Sequence, residues 1–180
     1  MPSLVVTRTE ELSSEQLAEL RRFLEEAFSQ DFSAEDWEHA LGGWHFLRLD
    51  TTGVLAHVAV VERRLWSGER TWRTGYVEGV AVRADVRRRG YGHEVMAAAG
   101  RLIVDGFQLG ALSARPGIHG FYRRLGWCRW DGPTHVRDRE GRVVATPEED
   151  GGVLVLPTPT TGELDPTAPL ICDWRPGDVW

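Results

Sequence analysis

The sequence has 180 residues, 42% of them hydrophobic, a length and composition typical of one globular domain with a buried core. Its formal net charge is −6, which disfavours a nucleic-acid reader because such proteins present a basic surface. No apolar run approaches the roughly 18 residues of a membrane span, and the first residues lack the basic-then-apolar order of a secretory signal. We therefore expect one cytoplasmic domain over residues 1–180 that makes no membrane contact.

The N-terminal part of the chain predicts two helices followed by three strands. Ser13 and Gln16 have the spacing of a capping box, and apolar residues on one helical face follow them, so we expect a helix over residues 14–28. Ser33 and Asp36 form a second box before a short helix that ends at a pair of glycines. The strand-like runs after it, separated by two hairpin turns, are residues 44–50, 54–66 and 70–84.

The C-terminal part mixes helices with short strands. We expect a helix at about 90–105 and a shorter one at 117–125. The strand-like runs are residues 107–114, 127–131 and 152–156. Antiparallel strands followed by intermingled helices and strands predict a mixed α/β fold of the α+β kind.

Residues 83–92, RADVRRRGYG, place three arginines where a glycine-containing turn enters a helix. A helix N-terminus carries a partial positive charge, so arginines are favourable there only if an anion lies between them and the helix. Gly90 and Gly92 let backbone amides approach such a ligand, and amides together with the helix dipole form a cradle for a diphosphate. These residues alone also fit a solvated basic turn. A triphosphate or a dinucleotide is disfavoured because the turn has neither the Lys-Ser/Thr of a P-loop nor GxGxxG.

The turn and the strand before it, VEGVAVRADVRRRGYG, resemble the acetyl-CoA-binding signature of the GNAT N-acetyltransferase superfamily. More narrowly, several segments resemble the aminoglycoside 2'-N-acetyltransferases. These segments are DFSAEDWEHALGG, GYVEGVAVRAD, QLGALS, YRRLGW and CDWRPGDVW. They occur in the family's order and extend from about residue 27 to residue 180.

The resemblance implies a fold and a cofactor site. The implied fold is a central, mostly antiparallel sheet flanked by helices and splayed open between two neighbouring strands, with the pantetheine arm of acetyl-CoA in the gap. Gly79, inside a strand, is consistent with a bulge or a close backbone approach at that place. The implied cofactor contacts are the backbone of Val80, Ala81 and Val82 for the pantetheine and the acetyl carbonyl, Arg87, Arg88, Arg89, Gly90, Tyr91 and Gly92 for the pyrophosphate, and Gly117.

Acetyl transfer to an amine needs a proton acceptor, a polarised carbonyl and a proton donor for the departing thiolate. Glu78 lies two residues before Val80 in one strand, so we expect both side chains on the same face of the sheet. Glu78 would act as a base through a water molecule or anchor the substrate ammonium. The backbone N–H at Val80 would stabilise the oxyanion. Tyr122 matches the family's tyrosine near the cofactor sulfur and would protonate the thiolate.

Acidic side chains gather in several segments, and together they suit a polycationic acceptor because a concave acidic site concentrates cations. Each segment taken singly also fits a solvated face. The resemblance carries substrate binding onto Asp31, Asp36, Glu78, Gly79, Ser113, Glu148, Glu149, Asp178 and Trp180. The family often has aspartate where this chain has Glu149, which leaves the reach of that carboxylate open.

The cysteines and histidines suggest no further chemistry. Cys128 and Cys172 are too few for a disulfide framework, and both are expected to be buried thiols. The histidines lack metal-ligand spacing, so no metal is expected. His57, in an apolar strand, is expected to be a core residue with satisfied hydrogen bonds, and His93 lies close to the expected phosphate turn.

We therefore expect an enzyme, a homodimer by family resemblance, that transfers acetyl from acetyl-CoA directly to the 2'-amino group of an aminoglycoside in a ternary complex. One alternative is a GNAT enzyme that acetylates another amine, such as a cell-wall amino sugar or a polyamine. Another is a non-catalytic CoA-binding module, which would have no need of Glu78 or Tyr122.

Overall fold

The computed structural model describes residues 1–29 and 31–180 and has helices and strands in mixed order. The helices are α1 (Ser14–Ala27), α2 (Ala34–His39), α3 (Tyr91–Gly106) and α4 (His119–Arg123). The strands are β1 (Ser3–Arg8), β2 (Trp44–Asp50), β3 (Gly53–Ser67), β4 (Arg70–Val82), β5 (Leu109–Ser113), β6 (Cys128–Arg129), β7 (Thr134–Arg137), β8 (Val143–Ala145), β9 (Val153–Pro157) and β10 (Leu170–Asp173). Among the described residues, no helix has the length and apolar character that crossing a bilayer requires.

The first two helices begin at the predicted capping boxes. The Gln16 N–H donates to Ser13 Oγ over 3.2 Å, and the Ser13 N–H donates to Gln16 Oε1 over 2.9 Å. Ser33 and Asp36 exchange the equivalent pair of bonds at 3.0 and 2.8 Å. Each box therefore satisfies backbone donors that a helix N-terminus leaves without a partner.

The chain divides into two compact units, and the first consists of Met1–Val61 and Val77–Ala99. In this unit β2 pairs antiparallel with both β1 and β3. Helices α1 and α2 contribute Leu20, Leu24 and Trp37 to a buried cluster that also contains Leu47 of β2 and Ala81 of β4. Ala81 therefore packs the end of β4 against this core, whereas Glu78, Gly79 and Val80 before it are half-buried.

The second unit consists of Glu62–Tyr76 and Gly100–Trp180. Its strands follow the order β6-β9-β5-β4-β3-β10-β7-β8. The β4–β5 and β7–β10 pairs are parallel, and the described register of β4 with β5 covers Thr74–Tyr76. The β3–β10, β5–β9, β6–β9 and β7–β8 pairs are antiparallel.

The mixed α/β class and its mostly antiparallel sheet are confirmed, as are the helices at 14–28 and 90–105 to within a residue or two. The expected helix at 117–125 is a 3₁₀ turn, Pro116–Ile118, followed by α4. Strands β1, β7, β8 and β10 were not predicted. That residues 1–180 form a single domain stays a prediction.

The expectation that both cysteines are buried is wrong for Cys128. Its side chain is exposed because it lies on β6, a two-residue strand at the end of the strand order that pairs only with β9 among the described residues. Cys172, in contrast, is buried, and burial raises the pKa of its thiol to about 12.

Candidate functional site

The end of β4 departs from regular strand geometry at Gly79. Its φ is +57°, a left-handed conformation that residues with a Cβ adopt at a cost. The Gly79 carbonyl oxygen lies 2.7 Å from His57 Nδ1, a side chain of β3. The expectation that Glu78 and Val80 share a face assumed an uninterrupted strand, so with this kink it stays a prediction.

His57 belongs to a chain of buried hydrogen bonds in the first unit. His57 Nε2 lies 3.0 Å from His45 Nδ1, and His45 Nε2 lies 2.8 Å from Thr9 Oγ1. Both imidazoles are fully buried. Burial lowers the pKa of His45 to about 4 and, together with repulsion from His45, that of His57 to about 3. Both rings are therefore neutral at neutral pH, and the prediction that His57 is a satisfied core residue is confirmed.

The turn before α3 presents its arginines to solvent. Arg87, Arg88 and Arg89 are exposed, and Arg88 and Gly90 have φ of +65° and +89°. The first bond of α3 runs from the Glu94 N–H to the Gly90 carbonyl over 3.0 Å. Three exposed arginines therefore directly precede the amide groups of the first turn, an arrangement that fits a diphosphate.

Arginine side chains make two contacts near this turn, one from the turn itself and one from β2. Arg87 Nε donates to the carbonyl of Val82, the last residue of β4, over 3.3 Å. Arg48 of β2 pairs with Glu94 in the first turn of α3 at 3.2 Å, and its guanidinium lies 5.5 Å from the centre of the Tyr91 ring. The first contact therefore ties the turn to β4, and the second ties the start of α3 to β2.

Tyr122, the expected proton donor, lies on α4 in the second unit. Its side chain is 4% exposed, and its ring packs edge-on against Trp127 with 6.4 Å between ring centres. Burial raises the pKa of Tyr122 to about 12. The phenol therefore keeps its proton at neutral pH, as a general acid requires. Gly117 lies in the exposed 3₁₀ turn before α4.

Several expected acceptor residues of the second unit are linked to one another. Ser113 Oγ donates to Glu149 Oε2 over 3.0 Å. Burial raises the pKa of Glu149, and repulsion from Asp178 and Glu148 raises it further, whereas the Ser113 bond and Arg175 lower it. These mutual effects show that the carboxylates form one acidic cluster, as a polycation site requires.

Trp180 is buried, with 3% of its surface exposed, and its indole N–H donates to Thr146 Oγ1 over 2.9 Å. Its backbone N–H donates to Asp178 Oδ1 over 3.1 Å. Arg175 donates to the carbonyl oxygens of Asp178 and Trp180 over 2.7 and 2.9 Å. This arginine therefore fixes the segment that carries two expected acceptor residues, and nothing in the sequence pattern singled it out.

The remaining acceptor candidates have separate surroundings. Asp36 is half-buried, and its carboxylate caps α2 by accepting from the Ser33 N–H, so its position has a structural explanation. Asp31 is exposed, and so is Glu148, which lies beside Glu149 in the acidic cluster. The structure places Ser113, Glu148, Glu149, Asp178 and Trp180 together in the second unit and Glu78 to Val82 with the arginine turn in the first. That these sets form one site stays a prediction.

Comparisons with known proteins show what this chain is similar to. Residues 8–129 match the family model described as an acetyltransferase (GNAT) domain. The chain is 47% identical over 177 residues to an aminoglycoside 2'-N-acetyltransferase of Mycolicibacterium fortuitum, covering 97% of this chain and 90% of that protein.

Solved structures share the fold at low identity. A GNAT family N-acetyltransferase from Escherichia coli in complex with CoA has a TM-score of 0.67 at 14% identity, over 95% of this chain and 89% of that one. A GCN5-related N-acetyltransferase from Kribbella flavida has a TM-score of 0.57 at 23% identity. The match covers 73% of this chain and 35% of that longer chain.

Proposed function

The chain belongs to the GNAT acetyltransferase superfamily and to its family of aminoglycoside 2'-N-acetyltransferases, and we propose that it transfers the acetyl group of acetyl-CoA to the 2'-amino group of aminoglycosides. The observation that carries the proposal is the identity to the Mycolicibacterium fortuitum protein, which extends over nearly the whole chain. The acidic cluster around Glu149 supports a cationic acceptor, and the arginine turn supports an anionic cofactor.

Most of the groups that hold the cofactor belong to the first unit. Arg87, Arg88 and Arg89, with the amides of Gly90, Tyr91 and Gly92, bind the pyrophosphate of acetyl-CoA, and the backbone of Val80, Ala81 and Val82 binds its pantetheine arm. Gly117 is a further cofactor contact. The bound thioester supplies an acetyl group that is activated for attack by an amine.

Three residues of this chain move protons and stabilise charge. Glu78 takes a proton from the acceptor ammonium, through a water molecule or directly, so that the amine nitrogen can bond to the acetyl carbon. The Val80 N–H donates to the carbonyl oxygen as negative charge develops on it. When the carbon–sulfur bond breaks, Tyr122 gives its proton to the thiolate, and CoA leaves as the thiol. The attacking nitrogen loses its second proton as the amide forms, and this proton restores the Tyr122 phenol.

The acceptor is held by carboxylates. The carboxylates proposed to bind its ammonium groups are Glu149, Asp178, Glu148, Asp36 and Asp31, and Ser113, Gly79 and Trp180 are further proposed contacts of the acceptor. Because both substrates must be bound before the amine can attack, transfer is direct and no acetylated enzyme forms.

Kanamycin B and kanamycin A test the regiochemistry because they carry an amine and a hydroxyl, respectively, at the 2' position. We expect the purified protein to release CoA from acetyl-CoA with kanamycin B and not with kanamycin A, with the acetyl group located at the 2' nitrogen by NMR. Equal N-acetylation of both compounds would contradict the proposal. Turnover with neither of them, but with a cell-wall amino sugar or a polyamine, would identify a different acceptor.

We further propose that the protein is cytoplasmic and that it forms a homodimer. The first is supported by the need for acetyl-CoA, which is a cytoplasmic metabolite, and the second by family resemblance alone. Cell fractionation and light scattering of the purified protein test them separately.

A further inference from the structure

The buried chain of Thr9, His45 and His57 has a fixed hydrogen-bond direction. A carbonyl oxygen only accepts, so His57 Nδ1 carries the proton that is donated to Gly79. A neutral ring has one N–H, so His57 Nε2 accepts, His45 Nδ1 donates to it, and His45 Nε2 accepts from the Thr9 hydroxyl. The hydroxyl in turn accepts from the Gly42 N–H over 2.9 Å. The series of hydrogen bonds from Thr9 to His57 therefore ends with a donor to the Gly79 carbonyl, and it does not carry a proton away from that group.

The Gly79 carbonyl belongs to the same peptide group as the Val80 N–H. That group is planar and trans, so its carbonyl and its N–H point in opposite directions. With the carbonyl directed at His57 on β3, the Val80 N–H points away from β3. A donor on the carbonyl also polarises the peptide group and strengthens the N–H as a donor, because hydrogen bonds in series reinforce one another.

We infer that His57, supported by His45 and Thr9, is a positioning residue that orients and polarises the Gly79–Val80 peptide so that the Val80 N–H binds the acetyl carbonyl. The inference rests on the proposed function, because only acetyl transfer gives that N–H an oxyanion to stabilise. Burial supports it: a protonated ring has no nitrogen left to accept, so this order needs both rings neutral, and the pKa of each imidazole is lowered well below neutral pH. A glycine at position 79 is consistent with this close contact, since a Cβ there would lie 3.3 Å from His57 Cε1, nearer than side chains usually approach.

Two substitutions of nearly equal shape isolate the donated hydrogen bond. His57→Asn places an amide nitrogen near the position of Nδ1, whereas His57→Leu has no donor, and both leave His45 without its acceptor. In single-turnover acetyl transfer to kanamycin B, we expect the leucine variant to be about tenfold slower than the asparagine variant, less than the roughly 100-fold loss when an oxyanion donor is removed outright. Acetyl-CoA affinity by calorimetry should agree within about twofold, since the hydrogen bond to the acetyl carbonyl is one weak contact among many in the ground state and strengthens in the transition state. Equal rates in the two variants would overturn the inference.

Two spectra test the inference separately from the rates, and the first needs only the wild-type protein, so it remains decisive if either variant fails to fold. The ¹⁵N shifts of the imidazoles should show both rings as neutral Nδ1–H tautomers; an Nε2–H tautomer at His57 would overturn the inference. The infrared carbonyl band of bound acetyl-CoA, labelled with ¹³C at the thioester, should move to lower frequency in the wild type, and less in the leucine variant than in the asparagine variant. Neither spectrum needs an acceptor, so both decide the inference even if no aminoglycoside is acetylated.

Discussion

At the residue scale, burial sets the protonation state of the side chains that handle protons. It keeps the Tyr122 phenol protonated, holds His45 and His57 neutral, and makes the Glu149 carboxyl harder to ionise. The neutral histidines suit the proposed hydrogen-bond order, whereas the raised pKa makes the Tyr122 phenol a weaker acid, and at Glu149 the carboxylate form binds the substrate. The Ser113 hydroxyl opposes the effect at Glu149 by stabilising the ionised form.

Replacing Tyr122 with phenylalanine removes the proposed proton donor and keeps the packed ring. We expect kcat to fall by about 100-fold, the usual contribution of a general acid, while the calorimetric affinity for acetyl-CoA stays unchanged. The wild-type pH–rate profile should show no titration of the phenol below about pH 10, because its pKa is raised to about 12. An unchanged kcat in the variant would remove the assigned role.

Replacing Ser113 with alanine should raise the pKa of Glu149 further, since the carboxylate loses a donor. As the pH falls, the negative charge is then lost at a higher pH than in the wild type, and calorimetric affinity for kanamycin B should weaken correspondingly earlier. Glu149→Gln is the control, because it carries no charge to lose. The same acid limb in the Ser113 variant and the wild type would contradict this account.

The neutral histidines make stability depend on pH. Their pKa values are about 4 and 3 in the folded protein against 6.5 in the unfolded chain, so the unfolded chain binds more protons below pH 6.5. Their contribution is complete above that pH, and each lowers the free energy of unfolding by about 1.4 kcal/mol per pH unit as the pH falls toward the folded value. Urea unfolding of the wild type and of His57→Asn measures it, and the variant should show a shallower slope.

At the scale of elements, the kink in β4 joins strand geometry to chemistry. Gly79 takes a left-handed φ, its carbonyl leaves the regular pattern to meet His57, and the groups on either side of it are Glu78 and Val80. A small change in this one residue therefore disturbs both stability and the proposed oxyanion donor.

Gly79→Ala is expected to lower the free energy of unfolding by about 1 to 3 kcal/mol, the usual cost of a left-handed residue with a Cβ, and to lower kcat as well. Gly120→Ala in α4 is the matched control, since its Cβ would have no neighbour within 4 Å. A helical glycine exchanged for alanine gains up to about 1 kcal/mol, so the control should hold or gain stability. Urea unfolding that moves both variants equally would contradict the role of the kink.

The elements that could be predicted are those with local signals. The boxes at Ser13 and Ser33 fixed the starts of α1 and α2, since a cap depends on residues three positions apart. Strands β7 and β10 were missed because runs of four residues carry no clear period, and their pairing joins Thr134 to Leu170, far apart in the chain. The buried rings of His45 and His57 show the same limit, because only the β2–β3 register makes them neighbours.

At the scale of the whole molecule, charge is distributed unevenly. The chain has a net charge of −6, yet three exposed arginines lie in succession at 87–89. The net negative charge favours association with a polycation, while the arginine turn provides a separate, positively charged site for an anion. The sequence could predict both features from composition, but not Arg175, whose role depends on the fold of the segment around Asp178.

Salt should therefore weaken the use of the cationic substrate. Between about 50 and 300 mM salt, kcat/KM for kanamycin B is expected to fall several-fold, because surface charges are screened beyond the Debye length. A monoamine acceptor at the same acetyl-CoA concentration is the comparison, and its fall should be smaller. Parallel curves for the two acceptors would assign the salt effect to the cofactor instead.

The guanidinium groups of the turn before α3 have a chemical consequence beyond binding. An enzyme that holds an activated acyl donor exposes its own surface to acylation, and lysine amines are the side chains that usually react. All 21 basic residues of this chain are arginines, which remain protonated and are poor nucleophiles. The cations proposed to bind the reactive thioester are therefore groups that it cannot acylate.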